Sequence, residues 1–217
     1  MRRLAPVAAA LLALAFVAAA SARDPRAEKL QLNARDNRAA RASLVTAADL
    51  AAGWQRIKSS GDDTVPSCPG YRPDFSKYTI TGKAEAEYKS SAGALVTSST
   101  EVYANHAQAI ADYRLGAKPQ VASCLAQTFE KQPTGDPTVT VKAVSAKQVA
   151  APRLGERSAR YKIVLRFTGP AGSVPAYLDA IVFQKGRSIA LLMTLGVSRP
   201  VTDGDALARI MSARASV

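Results

Sequence analysis

The sequence is poor in the side chains from which most active sites are built. Its 217 residues contain one histidine and two cysteines. One histidine excludes a histidine-rich metal site and leaves little for a Ser-His or Cys-His relay, and two cysteines exclude a zinc finger. A G-x-S-x-G nucleophile elbow, a phosphate-cradling glycine loop and a metal-ligand cluster are also missing. We therefore expect a protein that is not an enzyme, with no catalytic residue, no metal and no cofactor.

The composition is that of one folded domain with a basic surface. Hydrophobic residues make up 47% of the chain and charged residues 21%, which excludes wholesale disorder. The formal net charge is +12, but no window holds the dense basic run of a nucleic-acid-binding arm. We expect no nucleic-acid partner. The charge either favours an anionic envelope component or reflects the Arg- and Ala-rich composition of a GC-rich genome.

The first 22 residues have the layout of a secretory signal peptide. Met1-Arg2-Arg3 is basic, residues 4–22 are uncharged, and the stretch ends in the A-x-A pattern Ala20-Ser21-Ala22. We predict cleavage after Ala22 and a secreted or extracytoplasmic protein. The alternative is an uncleaved anchor, although a spanning helix needs about 20 apolar residues and this alanine-rich run is slightly short. Membrane contact is expected only through this segment, if it remains attached.

An exported chain folds in an oxidising compartment, where cysteines pair. Cys68 and Cys124 permit one intramolecular disulfide, and closing so long a loop is worth about 4 kcal/mol on the chain-entropy estimate. Cys124 lies on a helical apolar stripe with Val121, Leu125 and Phe129, so the bridge would form under cover. Two buried free thiols are the alternative.

The remaining chain alternates between strand and helix periodicity. Strands are predicted at residues 54–58, 79–88, 95–103, 138–143, 160–167, 174–184 and 188–198. Helices are predicted over Ala34–Ala42, in a short capped turn from Thr46, twice after Asn105, and after a Thr202 cap. This order predicts an α+β domain with helices packed on an antiparallel sheet. We expect residues 23–43 to be a loosely docked or partly disordered Arg/Ala-rich lead, and residues 44–217 to be the folded domain.

Asp179 is the most informative polar residue, because a carboxylate on a largely apolar strand is costly to bury unless it is paired. Its possible partners are Arg187 across the predicted hairpin, or Arg160 or Arg166 on the preceding strand. Such a pair either fixes the strand register or forms the polar floor of a ligand cleft.

A charged loop at residues 152–158 presents Arg153 and Arg157. These arginines would suit an anionic group, or the loop is an ordinary turn in which Gly155 supplies an unusual φ. The candidate ligand or structural polar site therefore consists of Asp179, Arg187, Arg153 and Arg157.

Several motifs resemble those of small exported bacterial domains with a PsbP-like fold. They are the LVTAADLxxGW pattern at residues 44–54, Cys68-Pro69-Gly70, the helical Cys124, the loop at 153–157 and the strand pair at 177–193. The likeness runs from Leu44 to the C-terminus. The chain is more distantly similar to the extracellular sensor domains of PknH-type receptor Ser/Thr kinases. The resemblance implies an α+β sandwich with disulfides and a cleft suspected of ligand binding.

Three hypotheses for function follow. The first is a secreted, monomeric, non-enzymatic binding or sensor-like module for a small amphipathic or anionic envelope ligand. The sheet face expected to hold that ligand is lined by Tyr161, Ile163, Tyr177 and Phe183, which otherwise belong to the core. The second is a structural or accessory envelope protein that acts through protein–protein contacts, using the arginines of the lead. The third is a hydrolase.

Overall fold

The computed structural model describes residues 24–59, 67–131 and 136–215. The predicted signal peptide and its cleavage site lie outside the described residues. The strands are β1 (Lys29–Leu30), β2 (Trp54–Ile57), β3 (Thr79–Ser90), β4 (Leu95–Tyr103), β5 (Thr140–Val149), β6 (Arg157–Gly169), β7 (Gly172–Lys185) and β8 (Ser188–Val197). The helices are α1 (Ala34–Ala42), α2 (His106–Gly116), α3 (Gln120–Lys131) and α4 (Gly204–Arg214).

The strands form one sheet in the order β1-β3-β4-β8-β7-β6-β5, and β2 pairs with the far end of β3. Every neighbouring pair is antiparallel except β1 with β3. The predicted α+β class with a largely antiparallel sheet is confirmed. The nearly continuous apolar run of β8 is central, which explains why both of its faces are apolar.

Helices cover both faces of the sheet, because successive side chains of a strand point to opposite sides. On β7, Leu178 and Ala180 belong to one buried cluster, together with residues of α2 and α3. Ile181 and Phe183 belong to a second cluster, together with residues of α4. The core is therefore divided by the sheet into two layers.

The lead is firmly docked, which corrects the expectation of a loose segment at residues 23–43. β1 adds to the edge of β3 in parallel, and the predicted helix α1 packs on β3 and β4. Asp36 and Ala40 of α1 are buried. The helix lies so close to the sheet that a Cβ at Gly82 would collide with the backbone of Asp36. Glycine at this position permits the close approach.

Cys68 and Cys124 form the predicted disulfide, with Cα atoms 5.4 Å apart. Both residues are buried in the cluster beneath α3. The bridge connects α3 to a segment with little regular structure. In this segment, Cys68 belongs to a tight turn that ends at Tyr71.

Of two helix caps predicted from the sequence, one is present in the structure and the other is not. Asn105 caps α2, where its side-chain oxygen accepts a hydrogen bond from the Gln108 backbone N–H at 2.9 Å. The predicted cap of α4 at Thr202 is wrong, because the N-cap residue is Asp203. The Thr202 hydroxyl instead donates to the Asp203 carboxylate at 3.4 Å.

Candidate functional site

Asp179 pairs with Arg160, one of its three predicted partners. Arg160 Nε donates to Asp179 Oδ1 at 2.8 Å, and Arg160 Nη1 lies 3.0 Å from Asp205 Oδ1 in the first turn of α4. The side chains of Arg160 and Asp179 are only 16% and 18% exposed. One guanidinium thus joins β6, β7 and α4. These contacts are structural, because they hold α4 against the sheet.

Arg187, another predicted partner of Asp179, pairs with Asp36 instead. Arg187 Nη2 lies 2.9 Å from Asp36 Oδ1, and Nη1 donates to the Tyr103 backbone carbonyl at 2.7 Å. The Arg187 hydrogen bond, helped by those of Thr81 and Asn33, holds the pKa of Asp36 well below its usual range. Arg187 therefore fastens α1 to the sheet.

The loop that carries Arg153 and Arg157 packs against the β7–β8 hairpin. Gly155 has a φ of +57°, and a Cβ there would collide with the backbone carbonyl of Gln184. The Glu156 backbone N–H donates to the same carbonyl at 2.9 Å, and Arg157 Nη1 donates to the Gln184 side chain at 3.2 Å. Arg153 is exposed. The loop is a fixed turn, and its arginines do not converge with Asp179.

The predicted ligand-binding face is wrong, because its four residues do not share one side of the sheet. Tyr161 and Ile163 are buried in the cluster beneath α3, whereas Phe183 is buried in the cluster beneath α4. Tyr177 pairs with Val164, which lies on the side opposite Ile163. Three of the four side chains are at most 2% exposed. They serve as core.

A cavity of about 430 Å³ opens next to the disulfide-bonded turn, and none of the predicted site residues lines it. Its walls come from the segment after Cys68, from the end of α2 and from the start of α3. The apolar wall is formed by Tyr71, Pro73 and Leu115. The charged side chains at the cavity are Arg72, Lys77, Lys118 and Asp74.

The disulfide-bonded turn fixes one wall of this cavity. Cys68 and Tyr71 exchange both backbone hydrogen bonds, at 3.0 and 2.9 Å, and Gly70 takes the positive φ of +82° that the turn requires. The bridge to Cys124 anchors the turn to α3. The Tyr71 hydroxyl donates to the Leu115 backbone carbonyl at 3.2 Å, which links the turn to α2.

The cavity is electrostatically positive. In the part of the chain that the structure describes, none of Arg72, Lys77 and Lys118 forms a salt bridge. The single carboxylate, Asp74, accepts the Ser76 backbone N–H at 3.0 Å, and the hydrogen bonds from Ser76 lower the pKa of Asp74. Three positive charges against one negative charge create a potential that attracts anions.

No protein-family model matches this chain, and no curated protein matches it. Among residues 24–59, 67–131 and 136–215, no cluster of His, Cys, Asp and Glu side chains could hold a metal ion. In the same ranges, no helix combines the length and the apolar character that crossing a membrane requires. The likeness to PsbP-like domains stays a prediction.

Proposed function

We propose that this protein is a secreted, non-enzymatic binding module of the PsbP-like type, and that the cavity beside the disulfide holds a small anionic, amphipathic envelope ligand. The observation that carries this proposal is a set of three cations around one apolar-walled cavity, none of which has a salt-bridge partner among the described residues. The volume of about 430 Å³ lies within the range of roughly 300–1,000 Å³ that is common for small-molecule sites.

The lining indicates a ligand with two chemically different parts. A phosphate or carboxylate would bind among Arg72, Lys77 and Lys118, since a guanidinium and two ammonium groups all donate to anionic oxygens. An acyl or other apolar part would pack on Tyr71 and Leu115. Each of these contacts alone is weak at a solvent-exposed site, so affinity requires both parts.

Two features support a location outside the cytoplasm. The disulfide between Cys68 and Cys124 is the kind of bond that persists in oxidising compartments. The basic start, apolar stretch and A-x-A ending of residues 1–22 have the layout of an export signal. An exported domain meets anionic lipids and polymers, which supply ligands of the required charge.

The test is a calorimetric titration of the purified protein with dodecyl phosphate below its micelle-forming concentration. We expect binding that weakens as salt is raised, because the cations are exposed. The double variant Lys77→Glu/Lys118→Glu should bind at least about tenfold more weakly, which corresponds to ~1.4 kcal/mol.

The matched control reverses the same number of charges away from the cavity. Lys142 and Lys147 are exposed on β5, so Lys142→Glu/Lys147→Glu should leave the affinity unchanged. Equal weakening by both double variants would show nonspecific attraction to a basic protein and refute the proposed site. A wild-type protein that does not bind dodecyl phosphate would refute it as well.

A second candidate function, an accessory envelope protein, is favoured by the ordered helix α1. Its outer side exposes Arg35, Arg38 and Arg41, while Asp36 and Ala40 face the sheet. Three fixed positive charges on one side of a helix suit contact with an acidic surface of another protein. Charge reversal of these arginines would then release the protein from isolated envelopes without changing its affinity for dodecyl phosphate.

A further inference from the structure

Two exposed leucines lie close together in the lead. Among the residues that the structure describes, the large hydrophobic side chains with high exposure are Leu30 at 37%, Leu32 at 48% and Val144 at 54%. A single exposed leucine is common on protein surfaces. Leu30 and Leu32 differ from that case, because they are two residues apart in an extended segment and therefore point to the same side. Together they form a small apolar patch.

The backbone that carries this patch is fixed. The backbone N–H groups of Lys29, Gln31 and Asn33 donate to carbonyl groups at or just before the start of β3, at 2.8, 2.9 and 2.9 Å. Asn33 then caps α1, where its side-chain oxygen accepts the Asp36 backbone N–H at 2.9 Å. The two leucines are thus held in place before any partner arrives, so docking through them would cost little ordering of the chain.

The surface of the lead around the patch is basic. The exposed cations of residues 28–42 are Lys29, Arg35, Arg38 and Arg41. In the part of the chain that the structure describes, none of the four forms a salt bridge. The two acidic residues of this stretch are Glu28, which is half-buried, and Asp36, which is buried and paired with Arg187. The exposed charge of the lead is therefore positive.

The cations are near enough to the leucines to act on the same partner. Lys29 adjoins Leu30 in the sequence, and the Cα atoms of Leu32 and Arg35 are at most about 11 Å apart, since each step along the chain spans about 3.8 Å. The Debye length at physiological ionic strength is about 8 Å. An anionic surface in contact with both leucines would therefore lie within reach of these charges.

We propose that the lead is a membrane-docking element that lies on the anionic lipid surface of the envelope membrane, with Leu30 and Leu32 entering the boundary between headgroups and acyl chains. Apolar side chains flanked by Lys and Arg are the usual means of binding at a lipid interface. Each cation close to an anionic leaflet strengthens that binding about fivefold.

Two observations favour a lipid surface over an acidic protein as the partner. A patch of two leucines is far smaller than the area of about 800 Å² per partner that a stable protein interface buries, whereas a bilayer requires no matching shape. The lead also directly follows residues 1–22, the apolar segment that is predicted to direct export. The inference goes beyond the proposed function, because it requires neither the cavity nor its ligand.

The test is co-sedimentation with lipid vesicles of the protein in the form that its host exports. All variants then carry the same N-terminus as the wild type. We expect the wild type to bind vesicles of equal parts phosphatidylglycerol and phosphatidylcholine, and to bind vesicles of phosphatidylcholine alone at least about tenfold more weakly. Leu30→Ser/Leu32→Ser should bind the anionic vesicles about tenfold more weakly or less still, because it leaves little apolar surface to bury.

Matched controls exist for both the leucines and the arginines. Val144→Ser removes an exposed hydrophobic side chain from β5, the strand at the opposite edge of the sheet, and should leave vesicle binding unchanged. Arg35→Glu/Arg38→Glu should weaken binding at least about tenfold, and Lys142→Glu/Lys147→Glu, which reverses as many charges on β5, should weaken it much less. The replaced side chains are exposed, so the urea midpoints should stay close to the wild type and exclude unfolding as the cause.

The outcomes separate this inference from the proposed functions. A wild type that does not bind anionic vesicles overturns it, and release from isolated envelopes by Arg35→Glu/Arg38→Glu would then assign the arginines to a protein partner. Equal weakening by the two charge-reversed pairs, or unchanged binding by Leu30→Ser/Leu32→Ser, also overturns it. Loss of vesicle binding in Lys77→Glu/Lys118→Glu alone would place the lipid headgroup in the cavity instead. Vesicle binding without any binding of dodecyl phosphate would refute the cavity and leave the membrane-docking element standing.

Discussion

Removal of the disulfide is the perturbation whose magnitude follows most directly from the fold. Cys68 and Cys124 are 56 residues apart in sequence. The chain-entropy relation for a loop of this length gives a loss of about 4 kcal/mol at 25 °C, mainly because the unfolded chain gains freedom. Alanine is the preferred replacement, since both cysteines are buried and serine would add an unpaired hydroxyl.

Urea unfolding of Cys68→Ala/Cys124→Ala, monitored by tryptophan fluorescence and circular dichroism, measures this loss. We expect the free energy of unfolding to fall by about 4 kcal/mol and the denaturant slope to rise, because the unfolded state without the bridge is more expanded. The variant should also bind dodecyl phosphate more weakly, although every cavity cation remains, because the turn at Tyr71 loses its anchor.

The control is the wild-type protein in a reducing agent, which should reach the same free energy as the double variant if the bridge is reduced completely. A loss below about 1 kcal/mol in both samples would refute the chain-entropy reasoning for this loop. An unchanged affinity would refute the role of the bridge in holding the cavity wall.

Two further predictions concern the packing of the lead on the sheet and a buried carboxyl group on α2. Gly82→Ala should lower the free energy of unfolding by about 1–3 kcal/mol, because the new methyl group collides with the Asp36 backbone; a urea midpoint equal to the wild type would show that α1 moves freely on the sheet. Burial, and then the nearby Glu28 and Glu101 carboxylates, raise the pKa of Asp112. Its proton is therefore retained on folding, and wild-type stability should fall as pH rises above about 4. Melting temperatures measured over this pH range should decline less in Asp112→Asn than in the wild type. Parallel declines in the two proteins would contradict the raised pKa of Asp112 as the cause.

Local periodicity was sufficient to predict most of the elements. The predicted helix over Ala34–Ala42 coincides with α1. Alternation predicted β3 and β6, Thr, Ser and Val enrichment predicted β4, and nearly continuous apolar runs predicted β7 and β8. The two cysteines had one possible partner each, so their pairing needed no knowledge of the fold. These features depend on neighbours along the chain, or on a count, and both can be read from the sequence.

Contacts between distant segments could not be predicted in the same way. Arg187 and Asp36 are 151 residues apart, and no periodicity connects them. The expected ligand face failed for a related reason, because assigning Tyr161 and Phe183 to one side required the relative register of two strands. The expectation that the lead docks loosely was wrong because α1, despite its charged outer side, buries Asp36 and Ala40 against the sheet.

The cavity could not be predicted from the sequence either. Arg72 and Lys77 follow the Cys68 turn, but Lys118 comes from the short connection between α2 and α3. Only the disulfide and the packing of α2 and α3 bring these charges to one place. The one usable signal was the link between Cys68 and Cys124, which already implied that both neighbourhoods meet.

The central claim is that the cavity binds an anionic ligand through Arg72, Lys77 and Lys118. Native mass spectrometry of the protein purified without detergent from its own host tests it most directly. We expect a bound small anion on the wild type that is absent from Lys77→Glu/Lys118→Glu and present on Lys142→Glu/Lys147→Glu. A wild-type protein that carries no ligand, or a ligand retained equally by all three proteins, would contradict it.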